Sequence, residues 1–298
     1  MKKSEEKAAV KKASVTLTPE QADAFGKELD AIKQRVMADL GQEDVDYIRR
    51  VIKMQRTMEV AGRGLLFAGI LPPAWIAGTA LLAVSKILDN MEIGHNIMHG
   101  QYEWTGDPTL SGQTFEWDTA CPGDQWRHSH NFSHHTYTNI VGMDRDIGYG
   151  ILRMSDDEPW RPYYLGNPVY AFLLMVLFQY GVALHELETE RIRAGEITIS
   201  DKREILAEIW RKTRRQMAKD YVAFPLLAGP FAPFVFAGNL TANLIRNVWS
   251  YAIIFCGHFP DGAQVFTEAE VAHETRGGWY LRQVLGSCNI TGGPGFHV

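Results

Sequence analysis

Residues 64–85 read GLLFAGILPPAWIAGTALLAVS, 22 positions without a charge. A helix of about 20 apolar residues crosses a hydrocarbon core of about 30 Å, so the stretch has the length of one membrane span. Pro72-Pro73 sits in its middle, and proline opens a helix far more readily than it continues one. The stretch therefore reads as a tight hairpin whose second helix begins near Ala74. From Trp75 to His95 is 20 residues, or about 30 Å of helix at about 1.5 Å per residue. His95 and the residues after it thus emerge at the interface where the hairpin began. Arg49, Arg50, Lys53, Arg56 and Arg63 precede the hairpin and, by the positive-inside rule, put both of its ends in the cytosol.

Two further uncharged runs follow, Leu165 to Leu184 with 20 residues and Tyr221 to Ile245 with 25. Arg211, Lys212, Arg214, Arg215 and Lys219 argue for a cytosolic entry into residues 221–257, a second hairpin interrupted by three prolines and the lone Arg246 and ending at His258. Residues 165–187 then become a re-entrant or interfacial segment, because a true span there would place the basic cluster outside. The averages point the other way, since a mean hydropathy of -0.18 over 298 residues is that of a soluble protein; the local windows outweigh them. A net charge of -5 gives no reason to expect nucleic acid. The expected fold class is all-α, with polytopic membrane helices in two hairpins and a cytosolic helical cap.

No cleavable signal peptide is visible in the charged first 60 residues. Thr18, Pro19 and Gln21 form a helix-start signature with a capping box. Phe25, Leu29, Ile32, Val36 and Leu40 then repeat at helical spacing until Gly41. Residues 1–44 are expected to be an N-terminal cytosolic amphipathic helix region, followed by a main domain over 45–298. Three scattered cysteines imply no disulfide framework.

The hairpins carry histidines to one face. His95 and His99 are four apart, as are His130 and His134, with His135 adjacent; on an α-helix each pair shares a face, and His135 lies about 100° further round. Such spacing converges imidazoles on a metal, and there are more of them than one tetrahedral ion can use, which suggests two. No C-x-x-C and no H-E-x-x-H occurs, so the usual zinc signatures are absent; imidazole alone suits iron, copper or zinc. His258, at an apolar helix end, is a further candidate ligand. Glu92, Asp118, Asp144 and Asp146 are candidate partners for fixing ring tautomers. Two E-x-x-H matches, EIGH at 92–95 and EVAH at 270–273, are discounted as chance.

The stretches DNMEIGHNIMHGQ (89–101), WRHSHNFSHHTYTNIVGMD (126–144), DYVAFP (220–225), NVWSYAIIFCGHFPDG (247–262), WYLRQVLGS (279–287) and TGGPG (291–295) resemble the membrane fatty acid desaturases, in particular the actinobacterial acyl-CoA delta-9 (stearoyl-CoA) type. The resemblance implies a diiron centre, two Fe ions held by His95, His99, His130, His134 and His135, with His258 matching an additional family histidine; His128 and His185 fall outside the boxes. It also implies O2 as co-substrate and a fatty acyl-CoA as substrate. With no dinucleotide, haem or iron–sulfur motif in the chain, electrons from NADPH would come through a ferredoxin- or flavin-type reductase. The setting would be a bacterial inner membrane, with the centre on the cytosolic face. The family's third box is expected some tens of residues beyond GSCNITGGPGFHV, so the main domain reads as C-terminally incomplete, and His297 does not replace that box. A membrane hydroxylase on the same boxes, or an inactive truncated acyl-binding protein, are the alternatives.

Overall fold

The computed structural model describes residues 17–154, 158–260, 262–288 and 291–293; His297 lies outside the described residues. Among them there is no strand, only an isolated bridge between Ile140 and Phe266, and the fold is all-helical. Among the described residues the α-helices of eight residues or more are α1 (Pro19–Asp39), α2 (Gln42–Phe67), α3 (Pro72–Ile87), α4 (Asn167–Val176), α5 (Phe178–His185), α6 (Arg203–Ala218), α7 (Ala232–His258) and α8 (Arg276–Leu285).

α2 and α3 form the first hairpin, turning over Ala68–Leu71, and Pro72 rather than Ala74 opens the return helix. Their backbones come very close. A Cβ on Gly62 would lie 2.9 Å from the Gly78 carbonyl, and one on Gly78 would lie 2.9 Å from that of Gly62, so only glycine admits this crossing. α3 continues through a π-helical turn, Leu88–Gly94, into His95–Met98. The second hairpin is built alike. α6 runs on through a π-helical turn, Lys219–Ala223, and the short helix Phe224–Leu227, then reverses over Gly229–Phe231 into α7. The two hairpin tips touch, because the Trp75 indole donates a 3.0 Å hydrogen bond to the Phe234 carbonyl.

The bundle is apolar outside and charged inside. Leu226, Leu227, Ile70, Leu71 and Ile76 at the tips are exposed, as are Val169, Phe172 and Leu173 on α4. Asp220, by contrast, is 0% exposed, and Arg63, Lys86, Asn239, Asn243 and Arg246 are buried around it. No helix among the described residues is by itself long and apolar enough to cross a membrane. α4 and the turn before it pass that test only together with α5, from which they are bent by 99°. Residues 165–187 are thus a sharply bent segment and not one straight rod.

The Thr18 capping box forms as its spacing predicts: the Thr18 amide donates to Gln21 Oε1 at 2.9 Å, and the Gln21 amide donates to Thr18 Oγ1. Gly41 acts differently from expectation. α1 ends at Asp39 with Leu40 extended, and Gly41 begins α2 as its N-cap, its amide donating to Asp44 Oδ2 at 2.8 Å. α1 packs on α8 at Gly26 and Gly277, where a Cβ on Gly277 would lie 1.7 Å from the Ala22 carbonyl. Backbone cannot yield as a flexible side chain does. Gly277→Ala is therefore expected to undock α1, seen as faster proteolytic cleavage between residues 40 and 42 with the hairpin core intact; unchanged cleavage would remove the argument.

Candidate metal centre

Two short helical pieces bring the imidazoles together, His95–Met98 at the foot of the first hairpin and Arg127–Tyr137 across from it. His95 Nε2 lies 3.1 Å from His99 Nε2 and 3.4 Å from His130 Nε2, and His135 Nε2 lies 3.2 Å from His130 Nε2. Four ring nitrogens thus face one small volume. The ligand atoms of His95, His99 and His130 all fall within 4.8 Å of one another.

The second box departs from the α-helical expectation in an informative way. Arg127–His134 is wound as a π-helix, whose hydrogen bonds run from i to i+5. Wider winding brings residues five apart over one another, so His130 meets His135. His134, four residues from His130, stays on the same side and stacks on it at 5.3 Å, but its Nδ1 lies 3.1 Å from both oxygens of Asp144, and its ring stands 5.0 Å from that of His258. The His258 Nδ1–H donates to the Ile254 carbonyl at 2.7 Å. Both rings therefore have Nε2 left over for a ligand.

Of the four candidate carboxylates, two face imidazoles. Asp144 takes His134 and is itself fixed by the amides of Asn139, at 2.7 Å, and Asp146, at 3.0 Å. Asp146 stands 3.6 Å from Nδ1 of both His130 and His134, and 3.5 Å from Nδ1 of His185. His130, His134 and Asp146 also satisfy the spacing for a metal by themselves. Orienting the rings is the better use of Asp146, because it lies on the Nδ1 edges while the Nε2 edge of His130 faces the other histidines. Glu92 instead accepts from the Tyr47 hydroxyl at 2.6 Å, and Asp118 pairs with Lys219. Glu92 lies on the π-helical turn and Asp118 in the irregular segment before Gly123; the partner each finds there is one that sequence offsets do not reveal. His128 is bound to Glu186 at 2.8 Å on the exposed side, and His185 donates to the Arg145 carbonyl at 2.8 Å.

Burial and the neighbouring His130 push His99 down to about 4 and His135 to about 3, which leaves them neutral at pH 7, the form that binds metals. His134 is the exception. Burial works to lower it, but Asp146 and Asp144 outweigh burial and raise it to about 9. Asp144→Asn keeps one acceptor oxygen where the carboxylate serves a ring and two amides. It is expected to weaken metal binding about 10- to 100-fold, measurable by competition with a chelator; unaltered affinity would reassign Asp144 to folding alone.

Next to the imidazoles is a cavity of about 300 Å³. Its lining includes Met91, Trp126, Phe178, Val182, Ile253 and Ile254. Trp126 stacks on His130 with ring centres 4.4 Å apart. Neither Trp126 nor the cavity could be read from motif spacing, although an aromatic four residues before His130 is a signal in retrospect.

Comparison with known proteins agrees with this geometry. The chain is 47% identical over 282 residues, 93% of its length, to an NADPH-dependent stearoyl-CoA 9-desaturase of Mycobacterium tuberculosis. It spans 66% of the length of that relative. An sn-1 linoleoyl-lipid 6-desaturase of Synechocystis is 31% identical over 130 residues, covering 40% of this chain and 35% of the relative. No solved structure matches. The fatty acid desaturase family is matched over residues 71–297, the interval that holds all six clustered histidines, and to that family the chain belongs.

Proposed function

We propose that this chain carries the diiron centre of a membrane-bound, O2-dependent acyl-CoA desaturase that converts a long saturated chain such as stearoyl to its delta-9 unsaturated product. The observation that carries the reading is the convergence of four Nε2 atoms beside an apolar cavity. Their fit to a metal pair rests on the donor set: His95, His99, His130 and His135 face one point, while His134 and His258, with Nδ1 tied back, offer Nε2 beside it. When bound, iron with O2 supplies the oxidant that an unactivated methylene requires and that side chains lack.

The chain's own residues do the remaining work. Asp144 holds the His134 ring, Trp126 buttresses His130, and Met91, Phe178, Val182, Ile253 and Ile254 hold an alkyl segment and keep water from it. Electrons would arrive from NADPH through a ferredoxin- or flavin-type reductase, and the basic segment over residues 191–219 suits the phosphates of CoA. The apolar exterior supports insertion of both hairpins in a bilayer, with charged groups turned inward as membrane interiors demand. Arg49, Arg50 and Lys53 on α2 and Arg211 and Lys212 on α6 all lie on the hairpin arms away from the tips, and by the positive-inside rule they support a cytosolic face for the centre.

Two measurements test this. Membranes from cells expressing the native gene should retain the protein through alkaline carbonate and release it to detergent. The detergent-purified protein should hold two irons per chain and, with O2 and a reductase, convert stearoyl-CoA to a mono-unsaturated acyl product by gas chromatography. A hydroxylated product would move the reading to a monooxygenase. Carbonate release would end the hairpin assignment.

A further inference from the structure

The cavity has two unlike ends. Along α7 its lining residues run from His258 through Ile254, Ile253 and Ser250 to Asn247 and Arg246, 12 positions and about 18 Å of helix. At the first end stand the imidazoles. At the other, Arg246 meets Asn90 from the first hairpin and lies near Gln179 of α5.

Arg246 is only 1% exposed. Its Nη1 donates to Asn90 Oδ1 at 3.1 Å, its Nε to Asn247 Oδ1 at 3.1 Å and its Nη2 to Asn243 Oδ1 at 3.4 Å. All three acceptors are neutral amides, and a guanidinium has five N–H donors. Asp220 stands behind, reached through Asn243, and is itself held by Lys86 and Arg63. Beside Arg246 the cavity wall also contains Ser250 Oγ and Gln179 Oε1, both buried and without a hydrogen-bond partner among the described residues. Three polar groups with bonding capacity left over therefore line the end of the pocket away from His258. Buried polar groups are almost always satisfied, and a hydrocarbon terminus cannot satisfy them.

We infer that the Arg246 end of the cavity is a polar subsite that takes an oxygen-bearing terminus of the bound chain, such as an ω-hydroxyl, and that it confines a plain alkyl chain to the apolar stretch above. This rests on the cavity holding an acyl chain, as proposed above. A terminal oxygen would accept from Arg246 and, as a hydroxyl, donate to Gln179 Oε1. A methyl pushed to the same depth would leave these groups desolvated and unpaired. Arg246 is then a specificity-determining residue for chain length and for the chemistry of the chain's far end.

The test uses detergent-purified, iron-loaded protein equilibrated with a ladder of saturated acyl-CoAs and their ω-hydroxy counterparts, followed by mass spectrometry of the retained ligands. In the wild type, retention of plain chains should fall beyond one length. For chains longer than that, the ω-hydroxyl should raise retention about tenfold, as a hydrogen bond to a charged group does, and for shorter chains it should change nothing. Arg246→Met keeps the bulk and removes the charge; it should abolish the preference for the hydroxyl and let longer plain chains in. Equal retention of both series at every length in the wild type overturns the subsite, with no variant needed and hence no question of folding. Retention of no acyl chain of either kind overturns the acyl reading of the cavity and this inference with it.

Discussion

His130→Ala is expected to empty the centre, with bound metal falling below a tenth of the wild-type content and desaturation abolished. His130 is the ring that joins the others, since its Nε2 lies 3.4 Å from that of His95 and 3.2 Å from that of His135. It also stacks on Trp126 and, 5.3 Å away, on His134. Removing it takes an imidazole from the middle of the set and leaves its neighbours without the packing that aims them, whereas loss of an orienting partner alone costs about 10- to 100-fold in affinity. His95, His99, His134 and His135 should behave alike when changed to alanine. His128→Ala is the control, because that ring points to Glu186 and not to the cluster. Elemental analysis of purified variants decides the matter: a His130→Ala protein with its full complement of iron would show that the centre is elsewhere.

Asp220→Ala should have the largest effect on stability of any single change away from the histidines. Its carboxylate takes Lys86 Nζ at 2.8 Å and Arg63 Nη2 at 3.1 Å, and Asn243 adds a third donor at 3.2 Å. These partners come from α2, α3 and α7, so one carboxylate ties both hairpins together. Removing one member of a buried ion pair strands the other, at a cost of about 3–5 kcal/mol. Here Lys86 would be stranded, while Arg63 keeps Glu59 at 3.0 Å. The Arg49–Asp107 pair lies at the surface, and Arg49→Ala should change stability by less than about 1 kcal/mol. Thermal unfolding in detergent separates the two; equal shifts would mean that the interior network is dispensable.

What was legible in the sequence was whatever rests on local spacing. The Thr18 capping box needs only neighbours, the Pro72-Pro73 reversal only the geometry of proline, and the six clustered histidines only their offsets and the hairpin that returns them to one face. The segment after Leu165 could be recognised as something other than a plain span from the charges beyond it, though its bend at Leu177 could not be placed. Less legible was everything set by how helices rotate against each other. Glu92 and Asp144 are equally plausible from the sequence as partners of a ring, and only packing decides that one reaches Tyr47 and the other His134. The charged interior was hidden for the same reason. Lys86, Asp220 and Arg246 look like blemishes in apolar runs until α2, α3 and α7 assemble around them, yet an ionisable residue within such a run is itself the sign that a partner waits inside.

The π-helical turn at Arg127–His134 bears on how this stretch of chain can vary. Its extra residue per turn is what sets His130 over His135 and frees His134 to face Asp144. Wound at the ordinary rotation per residue, the same five steps would carry His135 about 140° round from His130 instead of over it, so the wider turn and the five-residue offset are needed together. Phe132, which is exposed, is free to vary, whereas Asn131 is held by its amide's 2.7 Å hydrogen bond to the Met98 carbonyl; what the stretch conserves is a length tied to a winding.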